Sequence, residues 1–401
     1  MGIETFGAAL RRLRGDMSIR DAARLANVGK SYISDLENGR RTPSLAIATA
    51  LDRALGAKGE LVALAPSAPD HKVLSRPGLK ISEDITDVLS RIDRLNRAVS
   101  PEIIRQLRDN LGDIIFRYDQ LDHSDLVPAL LRQRTWIDTL LDECSHPRER
   151  QQLFEIACGT SGILGYIAVG RGRFPLARAY CAEAFQLGDF AQDSNLQAWA
   201  RGMQSFCEYY ARKYDEALSL ALDGLAYANS GPQGVRLTIN CMARALGKLG
   251  DAEGVHRAID QAYDLVSCNE SPKGLPSSIS FECYSSAQIA SNAATAYVSL
   301  GMPEKVQQYI KIALPDINKS ESPWSRSLVM IDYAVSLISS KEADLQHVED
   351  LVLDALNISA DRPIISIQQR AMEFARLAAQ RWGEAGRFSD IRDAIYAREV
   401  R

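Results

Sequence analysis

The sequence predicts an all-α protein: a small helical head followed by a long array of helix pairs. Three observations carry this reading. Apolar residues recur at three- and four-residue steps through most of the chain, and no stretch alternates with period two long enough to suggest a sheet. From about residue 159, turns return at intervals near 40 residues, the mark of a repeat architecture. With 401 residues, 46% of them apolar and 24% charged, the chain is too long for one helical core and too apolar to be disordered or collagen-like.

Residues Met1 to Leu10 lack the basic-then-apolar run of a signal peptide, and no later stretch reaches about 18 uncharged apolar residues. A cytoplasmic protein without a membrane span is expected. The seven cysteines (Cys144, Cys158, Cys181, Cys207, Cys241, Cys268, Cys283) form no CxxC pair and fall mostly in apolar helical patterns. They read as reduced core thiols rather than disulfides or a metal site. The net charge of −4 is uneven: residues 1–66 hold ten Lys and Arg against seven Asp and Glu, so the head is near +3 and the remainder near −7. A basic head on an acidic body places the anionic partner at the head.

Within the head, Ile3, Phe6, Leu10 and Leu13 line one face of a first helix that ends at Arg14, with Arg11, Arg12 and Arg14 on other faces. Ser18, with Asp21 three residues on, opens a second helix over Ile19 to Leu25, in which Ala22, Ala23 and Leu25 supply small apolar packing. Ala26-Asn27-Val28 makes a tight turn. A third helix runs from Gly29 or Lys30 to about Glu37, with Ile33 and Leu36 inward, and stops at Asn38-Gly39. After the basic loop Arg40-Arg41-Thr42-Pro43, Ser44 caps a fourth helix in which Leu45, Ala48, Leu51 and Leu55 close the core.

The run from Ser18 to Gly39, S-I-R-D-A-A-R-L-A-N-V-G-K-S-Y-I-S-D-L-E-N-G, with the trailing R-R-T-P-S-L and A-L-G-A, resembles the Xre type of helix-turn-helix found in phage repressors. That resemblance implies a five-helix head over residues 1–64 that binds double-stranded DNA. It places base reading on Lys30, Ser31, Tyr32, Ser34 and Asp35, side chains able to meet base edges in the major groove. Phosphate anchoring falls on Ser18 and Arg20 at the start of the second helix, and on Asn38, Arg40 and Arg41. Asp35 either accepts from a cytosine amino group or stays beside Arg40 and discourages wrong sequences. One such head reads half of a palindromic operator, so a homodimer is expected.

Residues 65–81, bracketed by Ala65-Pro66-Ser67-Ala68-Pro69 and Arg76-Pro77-Gly78, read as a linker. Connecting helices follow over 82–158: one opened by Ser82, one capped by Ser100 with Pro101 at its first position, one over about 125–143, and one from 148 onward. Beyond them the turn markers Gly172, Lys213, Gly250, Gly301, Glu342 and Gly386 step by 41, 37, 51, 41 and 44 residues, giving a paired-helix solenoid over 159–401. Leu164-Gly165 with Phe174 and Ala177, and Tyr214 with Ala217, resemble the tetratricopeptide pattern. Gly254 and Lys305 stand where that pattern has Ala, so the repeats are degenerate.

An Xre head on such repeats resembles the RRNPP group of regulators, which respond to signalling peptides in quorum sensing, and uncharacterised actinobacterial regulators. In that group the repeats curl into a groove for a short imported peptide and build a homodimer. The resemblance implies a short peptide or small-molecule ligand on the concave face lined by the first helix of each pair. Its polar residues there are Arg201, Gln204, Arg236, Asn240, Arg244, Gln288, Asn292 and Arg326, with Asn240 and Asn292 foremost because an Asn amide pairs with both N–H and C=O of an extended peptide. The alternative is a scaffold, tethered to DNA by the head and docking a partner protein on the repeats. No enzyme motif is present: His71, His123, His146, His256 and His347 read as surface or helix-end residues without ligand spacing, and neither GxxxxGK[ST], GxGxxG nor GxSxG occurs. No cofactor is expected.

Overall fold

The computed structural model describes residues 4–26, 28–43, 45–65, 85–96, 99–144, 146–269, 272, 274–338, 343–383 and 388–396, and every regular element among them is helical. The chain divides into two compact units, Met1–Lys80 and Ile81–Arg401. Ile3, the Asn27 turn, the Ser44 cap, the linker beyond Ala65, the Ser82 helix start and the turn at residues 340–342 lie outside the described residues, as does most of the turn at 385–388.

The first unit holds α1 (Phe6–Arg14), α2 (Ile19–Ala26), α3 (Lys30–Glu37), α4 (Leu45–Leu55) and α5 (Glu60–Ala63). Thr5 caps α1 through its hydroxyl, so that helix is shorter than its apolar pattern suggests. Leu10, Ala22, Ala23, Ile33, Leu36, Leu51 and Leu61 form the core. Leu25, expected to pack inward, is 57% exposed, because its position on α2 is turned away from α3 and α4. Buried Asp52 on α4 accepts the Gly59 and Leu61 N–H groups at 2.8 and 2.9 Å, fixing the start of α5 where the helix has donors to spare.

The second unit opens with α6 (Ile85–Asn96), α7 (Pro101–Arg117), a 3₁₀ turn Tyr118–Gln120, and α8 (His123–Glu143). Six helix pairs follow: α9 (Pro147–Gly170) with α10 (Phe174–Phe190), α11 (Ser194–Tyr210) with α12 (Tyr214–Ala228), and α13 (Pro232–Arg236) through a π-helical stretch Leu237–Ala243 into α14 (Arg244–Leu249), paired with α15 (Ala252–Ser267). Then come α16 (Ser286–Leu300) with α17 (Pro303–Ile317), α18 (Pro323–Ile338) with α19 (Leu345–Ile358), and α20 (Ile365–Trp382) with α21 (Phe388–Tyr396). Residues 158 and 159 both lie inside α9, so a boundary there cuts a helix. The helices before it pack on α9, and 81–401 is one unit.

Among the described residues α9 is the helix long and apolar enough to cross a membrane, yet 78% of its apolar window is buried by its neighbours, as in a core helix. Its glycines at 159, 162 and 165 admit those neighbours. A Cβ on Gly162 would sit 2.1 Å from the Trp199 ring, and one on Gly165 2.7 Å from the Cys181 sulfur. Six of the seven cysteines are buried, Cys268 being the exposed exception. Burial pushes the Cys207 thiol up to about 12, which leaves it unreactive. At Gly254 the repeat pattern gives way to a cap: the Asp251 carboxylate accepts the Gly254 N–H at 2.8 Å and would lie 2.3 Å from a Cβ.

The sequence reads as a paired-helix solenoid, and the first helices of its pairs follow one another round a ring that closes where α20 meets α9. The closing seam is polar and aromatic. Arg362 donates to the carbonyls of Asp119 and Leu121 at 2.5 and 3.3 Å, and Trp324 donates to the Arg362 carbonyl at 2.8 Å. Gln369 reaches the Tyr210 carbonyl at 2.9 Å, and Lys248 pairs with Glu373 at 2.9 Å. The rings of Tyr118, His123 and Trp324 pack in tilted pairs with centroids 5.1 to 5.7 Å apart. The contacts of Lys248 with Glu373, Gln369 with Tyr210 and Arg362 with Asp119 join residues 125, 159 and 243 positions apart, beyond the reach of a local pattern.

His123 in this seam is held neutral. Burial, reinforced by the charges of Arg171 and Arg362, takes its pKa from 6.5 down to about 4. Because the folded pKa lies below the unfolded one, the unfolded chain binds the extra proton between these values, and stability falls as pH drops through that window. The unfolding midpoint of the full chain should fall between pH 6.5 and about 4, and His123→Gln should make that fall shallower. Equal falls in both proteins would show that His123 does not couple closure to pH.

Candidate nucleic-acid interface

In the head, α2 and α3 are held by small residues against α1 and α4, so that one side of α3 is fixed and the other free. Ile33, Leu36 and Glu37 share the inner side. Gly7 on α1 lies so close to the end of α3 that a Cβ there would come 2.4 Å from the Leu36 carbonyl oxygen. Glu37, whose spacing of four from Ile33 turns it inward, takes Arg14 in two contacts, at 2.6 and 3.2 Å, with Arg11 at 3.5 Å. This buried carboxylate ties the end of α3 to the end of α1. Sequence reasoning did not include Glu37 or Gly7, although the inward register of Glu37 was legible.

On the outer side, Lys30 and Ser31 are exposed and Tyr32, Ser34 and Asp35 are half-buried. The loop after α3 folds back over them. The N–H groups of Arg40 and Arg41 both donate to the Asp35 carbonyl, at 2.8 and 3.3 Å. The Arg41 guanidinium stands 3.6 Å from the Asp35 carboxylate and 5.2 Å over the Tyr32 ring. The partner of Asp35 is therefore Arg41, not Arg40, because the backbone of 40–41 turns the next side chain towards α3. Arg40 itself is exposed.

Two of the expected phosphate anchors are already engaged. Asn38 donates from its amide to the Ser34 carbonyl at 2.7 Å and accepts from Arg11 at 3.1 Å, so it acts as a helix stop and brace. Ser18 accepts the Asp21 N–H at 3.1 Å and donates to the Asp21 carboxylate at 2.7 Å, which satisfies one donor at the start of α2 and sets a negative charge there. Arg20 stays exposed beside it. Among the other carboxylates, Glu4 and Glu60 bind Arg12 and Glu37 binds Arg14, away from the outer side of α3. The exposed cations Arg20, Lys30 and Arg40 have no carboxylate partner in these pairings, while Arg41 is matched by Asp35.

The residues expected to bind a ligand in the second unit divide into two groups. Asn240, Arg244, Gln288 and Asn292 line a chamber of about 100 Å³ on the ring axis, and Arg244 also lines an adjoining chamber of about 400 Å³. Arg201 lines neither: it lies over the Phe185 ring at 3.7 Å, pairs with Asp223 at 2.5 Å and donates to Gln204 at 2.7 Å, so both residues brace α11 against α10 and α12. Arg236 is fully buried, its guanidinium 3.5 Å from the Met203 sulfur and near the Tyr284 ring, and Arg326 lines neither chamber. The two favoured amides are occupied. Asn240 donates to the Tyr284 hydroxyl at 2.9 Å and accepts from Arg244 at 2.5 Å, while Asn292 donates to the Gln288 carbonyl at 2.8 Å. Gln288 completes a capping box with Ser285 and donates to the Pro276 carbonyl. These amides are occupied by partners on their own helix or the neighbouring segment.

Residues 5–65 match the sequence model of a family described as a helix-turn-helix domain. No curated protein matches the chain. The first unit is a helix-turn-helix domain, the class of domain that binds DNA, and an array of helices consistent with an α-solenoid follows it.

The Glu37 lock gives a direct stability test. Glu37→Ala should cost the head on the order of 3 kcal/mol by stranding Arg14, whereas Arg11→Ala, an exposed partner, should cost about 1 kcal/mol or less. Urea unfolding of the full chain, followed by a probe in the head, measures both. Equal losses would mean that the buried pair is not what holds α3.

Proposed function

We propose that the protein is a sequence-specific DNA-binding transcription regulator that works in the cytoplasm as a homodimer, with DNA binding controlled by a ligand held in its repeat-built second unit. The observation that carries the reading is the outer side of α3. Lys30, Ser31, Tyr32, Ser34 and Asp35 project from a helix whose inner side is locked, and Arg41 folds across its end. Rigid presentation of donors and acceptors on a helix is what reading base edges in the major groove requires.

Roles follow from exposure and pairing. Lys30 and Ser31, exposed at the start of α3, suit the position from which a recognition helix meets base edges. Arg41 presents Tyr32 and Asp35 in a fixed arrangement while offering its charge to the backbone. Arg20 and Arg40 supply phosphate contacts that set register, with Ser18 and Asn38 fixing the helix ends beside them. The dimer follows from the size of one recognition helix, which covers half of a two-fold operator. Degenerate tetratricopeptide-like pairs, in which Phe174, Ala177, Tyr214 and Ala217 pack in one cluster, support a sensing role for the second unit.

An operator selected from random DNA by the wild-type protein provides the assay. The double variant Lys30→Ala, Ser31→Ala should lose about 1–3 kcal/mol on that operator and much less on random DNA. Arg41→Ala should weaken both and reduce the salt slope by about one unit. If the double variant loses equally on both DNAs, Lys30 and Ser31 do not read bases.

A further inference from the structure

We propose that the axial cavity of the second unit binds a small organic oxyanion, a carboxylate or a phosphate ester with an apolar body; that this anion controls the head rests on the regulatory reading above. The charge on the cavity wall points to this class. The larger chamber is lined by five cations, Arg212, Arg244, Lys248, Arg370 and Arg376, against two carboxylates, Asp332 and Glu373. Both carboxylates are already matched: Asp332 binds Arg370 at 2.6 Å and accepts from Thr295 at 2.7 Å, and Glu373 binds Lys248 at 2.9 Å. Three positive charges are left over.

Arg244 is the least expected of the three. It is 3% exposed, lines both chambers, and has no carboxylate partner among the described residues. Its terminal nitrogens donate to the Tyr210 hydroxyl at 2.7 Å and the Asn240 carbonyl, and its Nε has no acceptor. Neutral oxygens and the Tyr209 ring, 4.3 Å below the guanidinium, offset only part of the cost of burying this charge. A helix C-terminus accounts for cations within its last turn, such as Lys248, but Arg244 and Arg376 lie further in. The π-helical stretch that ends at Ala243 adds a wide turn just before Arg244, a distortion that recurs at binding sites.

Size and shape select against an extended peptide. The ring is closed at α9 and α20, and the larger chamber of about 400 Å³ sits at the small end of the range of about 300–1,000 Å³ for small-molecule sites. Tyr209, Tyr214, Val298 and Met372 give that chamber an aromatic and aliphatic wall for the body of the ligand.

The full-length protein is tested by thermal unfolding in sodium phosphate and in sodium benzoate, each against sodium chloride at matched ionic strength, with Arg244→Met as the comparison. General salt effects and any anion at the head act equally on both proteins, so their difference isolates the cavity. At least one of the two anions should raise the wild-type midpoint by about 2–4 °C more than that of the variant. Phosphate acting alone assigns a phosphate ester, and benzoate acting alone a carboxylate. Equal shifts in wild type and variant with both anions overturn the site. Should Arg244→Met fail to fold, Arg376→Gln, exposed at the cavity edge, takes its place with the same criterion. An anion that stabilises through these arginines but leaves operator affinity unchanged keeps the site and removes the control reading.

Discussion

Closure of the inner ring of helices is the constraint on which the second unit depends. Six first helices can surround an axis only if the last returns to the first, and here α20 touches α9 while Gln369 reaches Tyr210 of α11, Glu373 pairs with Lys248 of α14, and Arg362 just ahead of α20 binds the Asp119 and Leu121 carbonyls. The glycine row of α9 lets Leu111, Trp199 and Cys181 pack against that helix at distances a side chain would forbid. Because the loop formed by this chain is long, its closure entropy grows only slowly with length, and a handful of seam contacts with good geometry suffices. The same closure narrows what would be a groove into a pocket on the axis.

The head follows a different economy. Its core is small, and its precision comes from a few polar locks that act at the ends of helices: Thr5 and Ser18 at starts, Asn38 at a stop, Asp52 under α5, and Glu37 between α1 and α3. Two of these locks, Asp52 and Glu37, bury a carboxylate inside the fold. The cations they leave uncompensated lie on and around α3, so the fold's own stabilisation shapes its electrostatic face.

What could be read from the sequence was whatever depends on neighbours within a turn or two. The α3 limits, the Ser100–Pro101 start of α7, and the turns at Gly172, Gly250 and Gly301 follow from local capping and periodicity, and each appears where the sequence places it. The inward register of Glu37 was equally local, since residues 33 and 37 share a helix side. The ligand residues were harder. Arg201 and Asn240 are both polar residues on first helices, and only contacts across pairs decide that one braces α11 and the other lines the axis. Ring closure depends on contacts such as that of Arg362 with Asp119, 243 positions apart, for which a single sequence carries no periodic signal. Asp35 shows the intermediate case: a nearby arginine was expected, and the turn of one backbone residue decided which.

The first unit holds α3 in place through its inner side, and the second is a ring whose larger chamber carries excess positive charge. In the proposed regulator two such chains act together, each with a small anion in its ring. Native mass spectrometry of the full chain purified from its own cells tests this directly. The account predicts a species of two chains, each carrying a small organic anion that the Arg244→Met variant does not retain. A species of one chain, or a linear peptide of several residues held by each chain, would contradict it.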